Sequence, residues 1–212
     1  MDGLLLDTES IYTEVTQQIV QRYGSSFDWS LKKKIIGRRA LESAQIIVET
    51  LDLPITAEEY LKERNEILPG RVAECKLMPG VEKLTRHLAQ EGIPQAVATS
   101  SKKDTLEAKI IHHREWFSLF HTIVTGDDPE VSEGKPAPDI FLVEAKRLGF
   151  PPKNCLAFED APTGTQAANS AGMAVIAIPD SNMGHDLYPE ADAILNSMED
   201  FRPETWGLPP FR

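Results

Sequence analysis

The chain reads as an α/β protein, a doubly wound parallel sheet with an inserted helical bundle. Two features of its 212 residues point that way. Residues 9 to about 75 carry apolar positions at helical spacing and contain no strand-like run. From Met78-Pro79-Gly80 onward, short apolar runs alternate with helical stretches, the pattern of βαβ units around a parallel sheet. The expected division is a core of residues 1–8 and 79–212, with a helical unit of residues 9–78.

In the first part, Ile11, Val15, Ile19, Val20 and Tyr23 fall on one helical face. Asp7-Thr8-Glu9 can cap that helix and Gly24 can end it. A short helix near Leu31 to Ile36 is stopped by Gly37. A third, roughly Arg39 to Leu51, places Leu41, Ala44, Ile47 and Leu51 on one side. Thr56 with Glu59 spells a capping box for a fourth helix, which Pro69-Gly70 should terminate. Four short amphipathic helices make a small bundle.

The second part opens with a helix over Val81 to Gln90, ended by Gly92. A buried strand at Pro94 to Ala98 follows, then a helix from Lys102 to His112 and a strand at Thr122 to Thr125. Next come a helix at Asp139 to Leu148 with Gly149 past its end, and a strand at Cys155 to Phe158. A helix from Thr163 to Gly172, a strand at Ala174 to Ile178 and a short strand at Ala193 to Leu195 complete the series.

The net charge of −11 argues against non-specific nucleic-acid binding and against docking on an anionic membrane. A basic pocket for a small anion remains compatible with it. No apolar run reaches membrane-spanning length and no signal-peptide pattern opens the chain. Cys75 and Cys155 show no CxxC spacing and read as buried, reduced core residues. The expectation is a cytoplasmic monomer.

In parallel α/β sheets, ligands bind beyond the carboxyl ends of the strands. Three such ends carry chemistry. Thr99-Ser100-Ser101 presents hydroxyls and free amides suited to a phosphate oxygen; the alternative is plain helix capping, with Ser101 and Asp104 as a capping box. In Gly134-Lys135-Pro136-Ala137-Pro138-Asp139, two prolines stiffen the backbone around one cation, which suits a phosphoryl dianion; the alternative is a solvated lysine in a Pro-rich turn. Phe158-Glu159-Asp160 puts adjacent carboxylates at a strand end, where they repel unless a cation lies between them. Few hard oxygen ligands fit Mg²⁺ that keeps its waters; the alternative is Asp capping of the next helix. There is no GxxxxGK[ST] loop and no strand followed by GxGxxG, which disfavours a P-loop nucleotidase and a dinucleotide enzyme.

With these motifs in place the chain resembles the haloacid dehalogenase superfamily of phosphatases, the subfamily with a helical cap. The matching residues are Asp2-Gly3 with Asp7-Thr8-Glu9, Thr99, Lys135-Pro136 and Glu159-Asp160. Phe117-Ser118-Leu119-Phe120, Gly126 to Val131, the GKPAPD run and Trp206-Gly207-Leu208-Pro209-Pro210 resemble the branch acting on pseudouridine 5'-phosphate. The plant glycerol-3-phosphatases are similar.

The resemblance implies a Rossmann-like core, a cap of residues 9–78 and a Mg²⁺-dependent phosphatase acting on a small phosphorylated metabolite. It assigns Asp2 as acid/base, Thr99, Ser100 and Lys135 to the phosphate, and Asp2 (through its carbonyl), Glu159 and Asp160 to the metal. Gly37, Arg38, Arg39 and Glu42 fall where relatives place a specificity loop; a basic loop beside a solvated helix face is the plainer reading. Asp7 to Glu9 and Met78 to Gly80 would be hinges. The family motif Asp-x-Asp-Gly puts Met1 in the middle position, so the nucleophilic Asp and the first strand fall ahead of Met1. Removing that central strand is expected to leave its two neighbours without their ladder. Three other readings stay open, namely a glycerol-3-phosphatase, a non-catalytic phosphate-binding short form and a phosphomutase.

Overall fold

The computed structural model describes residues 1–36 and 40–211. The chain forms two compact units, one of Met1–Leu6 with Lys76–Arg212 and one of Asp7–Cys75.

The second unit is helical, with α1 (Thr8–Gln21), α2 (Trp29–Ile35), α3 (Ala40–Thr50) and α4 (Ala57–Val72). The Asp7 and Asp28 side chains accept from the Ser10 and Leu31 amides to start α1 and α2. Thr56 and Glu59 form the expected capping box at α4. α1 buries Ile11, Val15, Ile19 and Val20 and packs on α4. The Tyr60 hydroxyl donates to Thr16 Oγ1 at 3.1 Å, tying those two helices together. One expectation needs correcting, because α4 runs through Pro69 to Val72. Proline removes one amide from the ladder, but Val72 is 1% exposed. Burying it one turn further on outweighs that local penalty.

The first unit contains α5 (Val81–Gln90), β1 (Ala96–Ala98), α6 (Lys103–Lys109), α7 (Arg114–Phe117) and β2 (Thr122–Val124). It continues with α8 (Asp139–Leu148), β3 (Leu156–Glu159), α9 (Pro162–Ser170), β4 (Ala174–Ala177) and β5 (Ala193–Ile194). The described strands pair in parallel, with Val97 opposite Ile123, Phe158 opposite Ile176 and Ala177 opposite Ile194. The described strands make two sheets, β1-β2 and β3-β4-β5, rather than one continuous sheet. α8 packs on β1 and β2, α9 on β3 and β4, and the two helices touch. One apolar core, including Val124, Ile140, Phe141, Ala157, Ala168 and Val175, therefore runs beneath both sheets.

The helix expected over 102–112 stops at Lys109, and a further short helix, α7, follows beyond it. β-Branched Ile110 and Ile111 and two histidines are weak helix formers. Burial of Trp116 and Phe117 supplies the competing force, and the Trp116 indole donates to Thr85 Oγ1 at 2.8 Å. Neither cysteine is in a disulfide, but only Cys75 is buried; Cys155 is half-buried. No helix of the described residues is long and apolar enough to cross a membrane. At the junction with the helical unit, Leu6 and Leu77 form an antiparallel bridge, and the Met78 amide donates to the Leu5 carbonyl at 2.9 Å.

Candidate active site

The carboxyl ends of β1, β2 and β3 gather the polar residues. Thr99 follows β1 and is 2% exposed; its amide donates to the Val124 carbonyl at 2.9 Å, holding the ends of β1 and β2 together. Its Oγ1 accepts from the Ser101 amide at 3.1 Å. Close by, the Gly126 amide donates to the Ser101 carbonyl, and a Cβ on Gly126 would collide with the Ser100 carbonyl. Only a glycine lets the two strand ends approach this closely. Ser100 itself is exposed.

Lys135 arrives on the loop before α8. Asp139 fixes that loop by accepting from the Ser132 and Glu133 amides at 3.1 and 3.0 Å. The Lys135 ammonium pairs with Glu159, lies 3.4 Å from the Ala98 carbonyl and sits 4.9 Å from the Phe141 ring centre. Glu159 ends β3, 4% exposed, with its carboxylate seated against Gly164. Asp160 follows, and its backbone carbonyl accepts from the Tyr188 hydroxyl at 2.7 Å.

Asp2 completes the group. Its carboxylate pairs with Lys109 and accepts from the Ser101 hydroxyl at 2.9 Å. Burial works against its charge, but Lys109, the chain's amino group and these hydrogen bonds hold its carboxyl below the usual carboxylate range. Asp160 behaves in the opposite way. Burial first, then the neighbouring Glu159 charge, push it up, and the chain's amino group and Lys135 offset this only partly. Burial and the Asp160 charge also push the Tyr188 phenol up. The site thus holds two lysine–carboxylate pairs and one further carboxyl whose negative charge is poorly compensated.

A sequence profile of the haloacid dehalogenase-like hydrolases matches residues 1–172. The chain belongs to the haloacid dehalogenase-like hydrolase family. Within that family it is similar to proteins named as phosphatases. It is 48% identical to (DL)-glycerol-3-phosphatase 1, mitochondrial, of Arabidopsis thaliana, across 100% of this chain and 73% of that protein. It is 45% identical to the Drosophila melanogaster protein named "Probable pseudouridine-5'-phosphatase", across 100% of this chain and 93% of that one. Among solved structures it resembles CbbY from Rhodobacter sphaeroides in complex with phosphate. That likeness has 26% identity and a TM-score of 0.72 over 94% of this chain and 92% of that one. The chain is thus a phosphoric monoester hydrolase of the haloacid dehalogenase-like type.

Phosphatases of the haloacid dehalogenase-like family generally use a divalent metal ion. Among the described residues, no three His, Cys, Asp or Glu side chains converge as a ready cage. The donors present still fit a hard cation. Asp2 and Glu159 are occupied by lysines, whereas Asp160 is a half-buried carboxyl that a nearby cation would return to its ionised form. One carboxylate with backbone carbonyls and retained waters is a common donor set for such an ion.

Of the residues singled out from sequence, Asp2, Thr99, Lys135, Glu159 and Asp160 share this haloacid dehalogenase-like site, with Ser100 exposed at its edge. Glu42 is exposed on α3 in the helical unit, and Gly37, Arg38 and Arg39 lie outside the described residues. Ser101 does not form a capping box with Asp104, since Lys102 is the N-cap of α6, without a side-chain cap bond, and the Ser101 hydroxyl goes to Asp2. Sequence reasoning missed Lys109 and Tyr188, which are 1% and 2% exposed. Lys109 had no distinctive signal, because Lys102 and Lys103 fall on the same face as Leu106 and read as solvated charges too.

Proposed function

We propose that this hydrolase is a Mg²⁺-dependent phosphomonoesterase acting on primary phosphate esters of small hydroxylated metabolites. Pseudouridine 5'-phosphate is the leading substrate and glycerol 3-phosphate the second. Relatives named for both compounds match almost equally, and both compounds carry the phosphate on a primary carbon. The single observation that carries the reading is the linked set Asp2–Ser101–Thr99 and Ala98–Lys135–Glu159–Asp160 at the carboxyl ends of β1 and β3.

In this reading Asp2 gives a proton to the departing alkoxide and later takes one from water. The Thr99 and Ser100 groups hold phosphoryl oxygens, and Lys135 offsets phosphoryl charge. Asp160 and the Asp2 backbone carbonyl would hold Mg²⁺, with Glu159 beside them. When bound, the ion supplies charge neutralisation at the phosphoryl group. The nucleophile is the family's aspartate, which the motif places ahead of Met1. The helical unit corresponds to the family's cap.

The test uses the chain preceded by an apolar strand ending in Asp, assayed for phosphate release from both esters with and without Mg²⁺. Release is expected to require Mg²⁺, and Asp160→Asn should lower it by about a hundredfold or more. Full activity in that variant would remove the metal assignment. Phosphate binding without any release would replace the enzyme reading with a binding one.

A further inference from the structure

Two buried lysines stand at the site, and the chemistry proposed above uses one. Lys109 is the deeper of the two. Its side chain is 1% exposed, against 11% for Lys135. From the last residue of α6, its Nζ donates to the Asp2 carboxylate and, at 2.9 Å, to the Ser101 hydroxyl. That hydroxyl donates in turn to Asp2 Oδ2, whereas Lys109 engages Oδ1. Each Asp2 oxygen therefore has its own donor, and the two donors are bonded to each other.

An ammonium is rarely buried so fully unless its charge is used. Packing alone gives no reason for one here. The inward face of α6 carries Leu106, and buried Ile110 follows, so methionine would fill the same stem volume.

We infer that Lys109 is a positioning residue which, with Ser101, fixes the Asp2 carboxyl in one orientation for proton exchange with the ester. The inference rests on the phosphatase reading and on Asp2 as its acid/base. A carboxylate oxygen has two lone-pair sites, so each can accept a fixed donor and still exchange a proton on its other side. The proton balance begins with protonation: the Asp2 carboxylate, ionised beside Lys109, takes a proton from solvent as the ester binds. As the P–O bond to the leaving group breaks, the departing oxygen takes the Asp2 proton. When water attacks the aspartyl-phosphate, the Asp2 carboxylate takes a proton from it. Released from Lys109, Asp2 would rotate away from both transfers, and small misplacements of a catalytic group carry large rate losses.

The experiment compares Lys109→Met with its parent, both preceded by the strand and nucleophile, on two esters. Glycerol 3-phosphate needs its leaving alkoxide protonated, whereas p-nitrophenyl phosphate releases a stable phenolate. For Lys109→Met, the single-turnover rate of alcohol release from the alkyl ester should fall about a hundredfold, and the first-turnover burst of p-nitrophenolate from the aryl ester by less than about threefold, because only the first needs a proton from Asp2. Ser101→Ala should show the same selectivity more weakly, and Lys109→Arg should recover part of the alkyl activity. Calorimetric binding of inorganic phosphate should stay within about threefold of the parent, because Thr99 and Lys135 hold the anion. An equal fall on both esters in Lys109→Met and Ser101→Ala, or loss of phosphate binding, would make Lys109 a structural or phosphate-binding residue and overturn the inference. A parent that releases phosphate from neither ester would instead remove the phosphatase reading, and this inference with it.

Discussion

Glu144 is the charge most out of place in the α/β unit. It lies on the face of α8 that also buries Ile140, Phe141, Val143 and Ala145, is 5% exposed, and neither carboxyl oxygen finds a hydrogen-bond partner. Its carboxyl is pushed up from 4.5 to about 7. Burial drives the rise; the nearby Thr122 hydroxyl and Arg147 charge counter part of it, and Asp128 adds to it. Below pH 4.5 the group is protonated whether the chain is folded or unfolded. Between pH 4.5 and 7 the unfolded chain gives up this proton and the folded chain keeps it, so stability falls as pH rises. Above pH 7 the loss is complete. From pH 5 to pH 8 it amounts to about 2–3 kcal/mol. Glu144→Gln is neutral at every pH, so its advantage over the parent should widen by that amount between pH 5 and pH 8. For a chain of this length, that corresponds to about 5–10 °C in Tm. Thermal and urea melts of both proteins at pH 5, 6, 7 and 8 measure it. Asp160 also titrates high, but it does so in both proteins and cancels in the difference. A gap that stays constant across the series would refute the reasoning.

Two further perturbations bear on the site and the helical unit. In Gly164→Ala the new Cβ would land on the Glu159 carboxyl group, closer than side chains tolerate, so the Lys135–Glu159 pair must give way. Melts should show a loss of about 1–3 kcal/mol, and an unchanged Tm would mean that Glu159 is not seated there. Thr56→Ala removes half of the capping box on α4 and should cost about 1 kcal/mol by urea titration, with Thr56→Ser close to the parent.

Helices with a strong apolar stripe were legible at once. The bounds of α5 and α8 match the periodicity of Val81 to Gln90 and Asp139 to Leu148, and Gly149 closes α8 in the left-handed conformation that favours glycine. The site was legible because parallel strands collect ligand groups at their carboxyl ends, so Thr99, Lys135 and Glu159 could be grouped without knowing the register, even though the described strands divide into two sheets. The misses all come from tertiary forces. Pro69 reads as a stop until the burial of Val72 is seen. The continuous pattern over 102–112 hides the pull of Trp116 and Phe117. No local pattern near Lys109 reveals that its partner lies at Asp2, because the pair forms only when α6 closes over the start of the chain.

The bridge between Leu6 and Leu77 carries a consequence for engineering. Residues 7–75 leave and re-enter the α/β unit at adjoining points, with Met78 bonded back to Leu5. A module joined through such a narrow neck can be exchanged as a cassette. Grafting the corresponding segment of a relative with different substrate tastes would show whether substrate choice travels with the helical unit while the chemical groups stay in place.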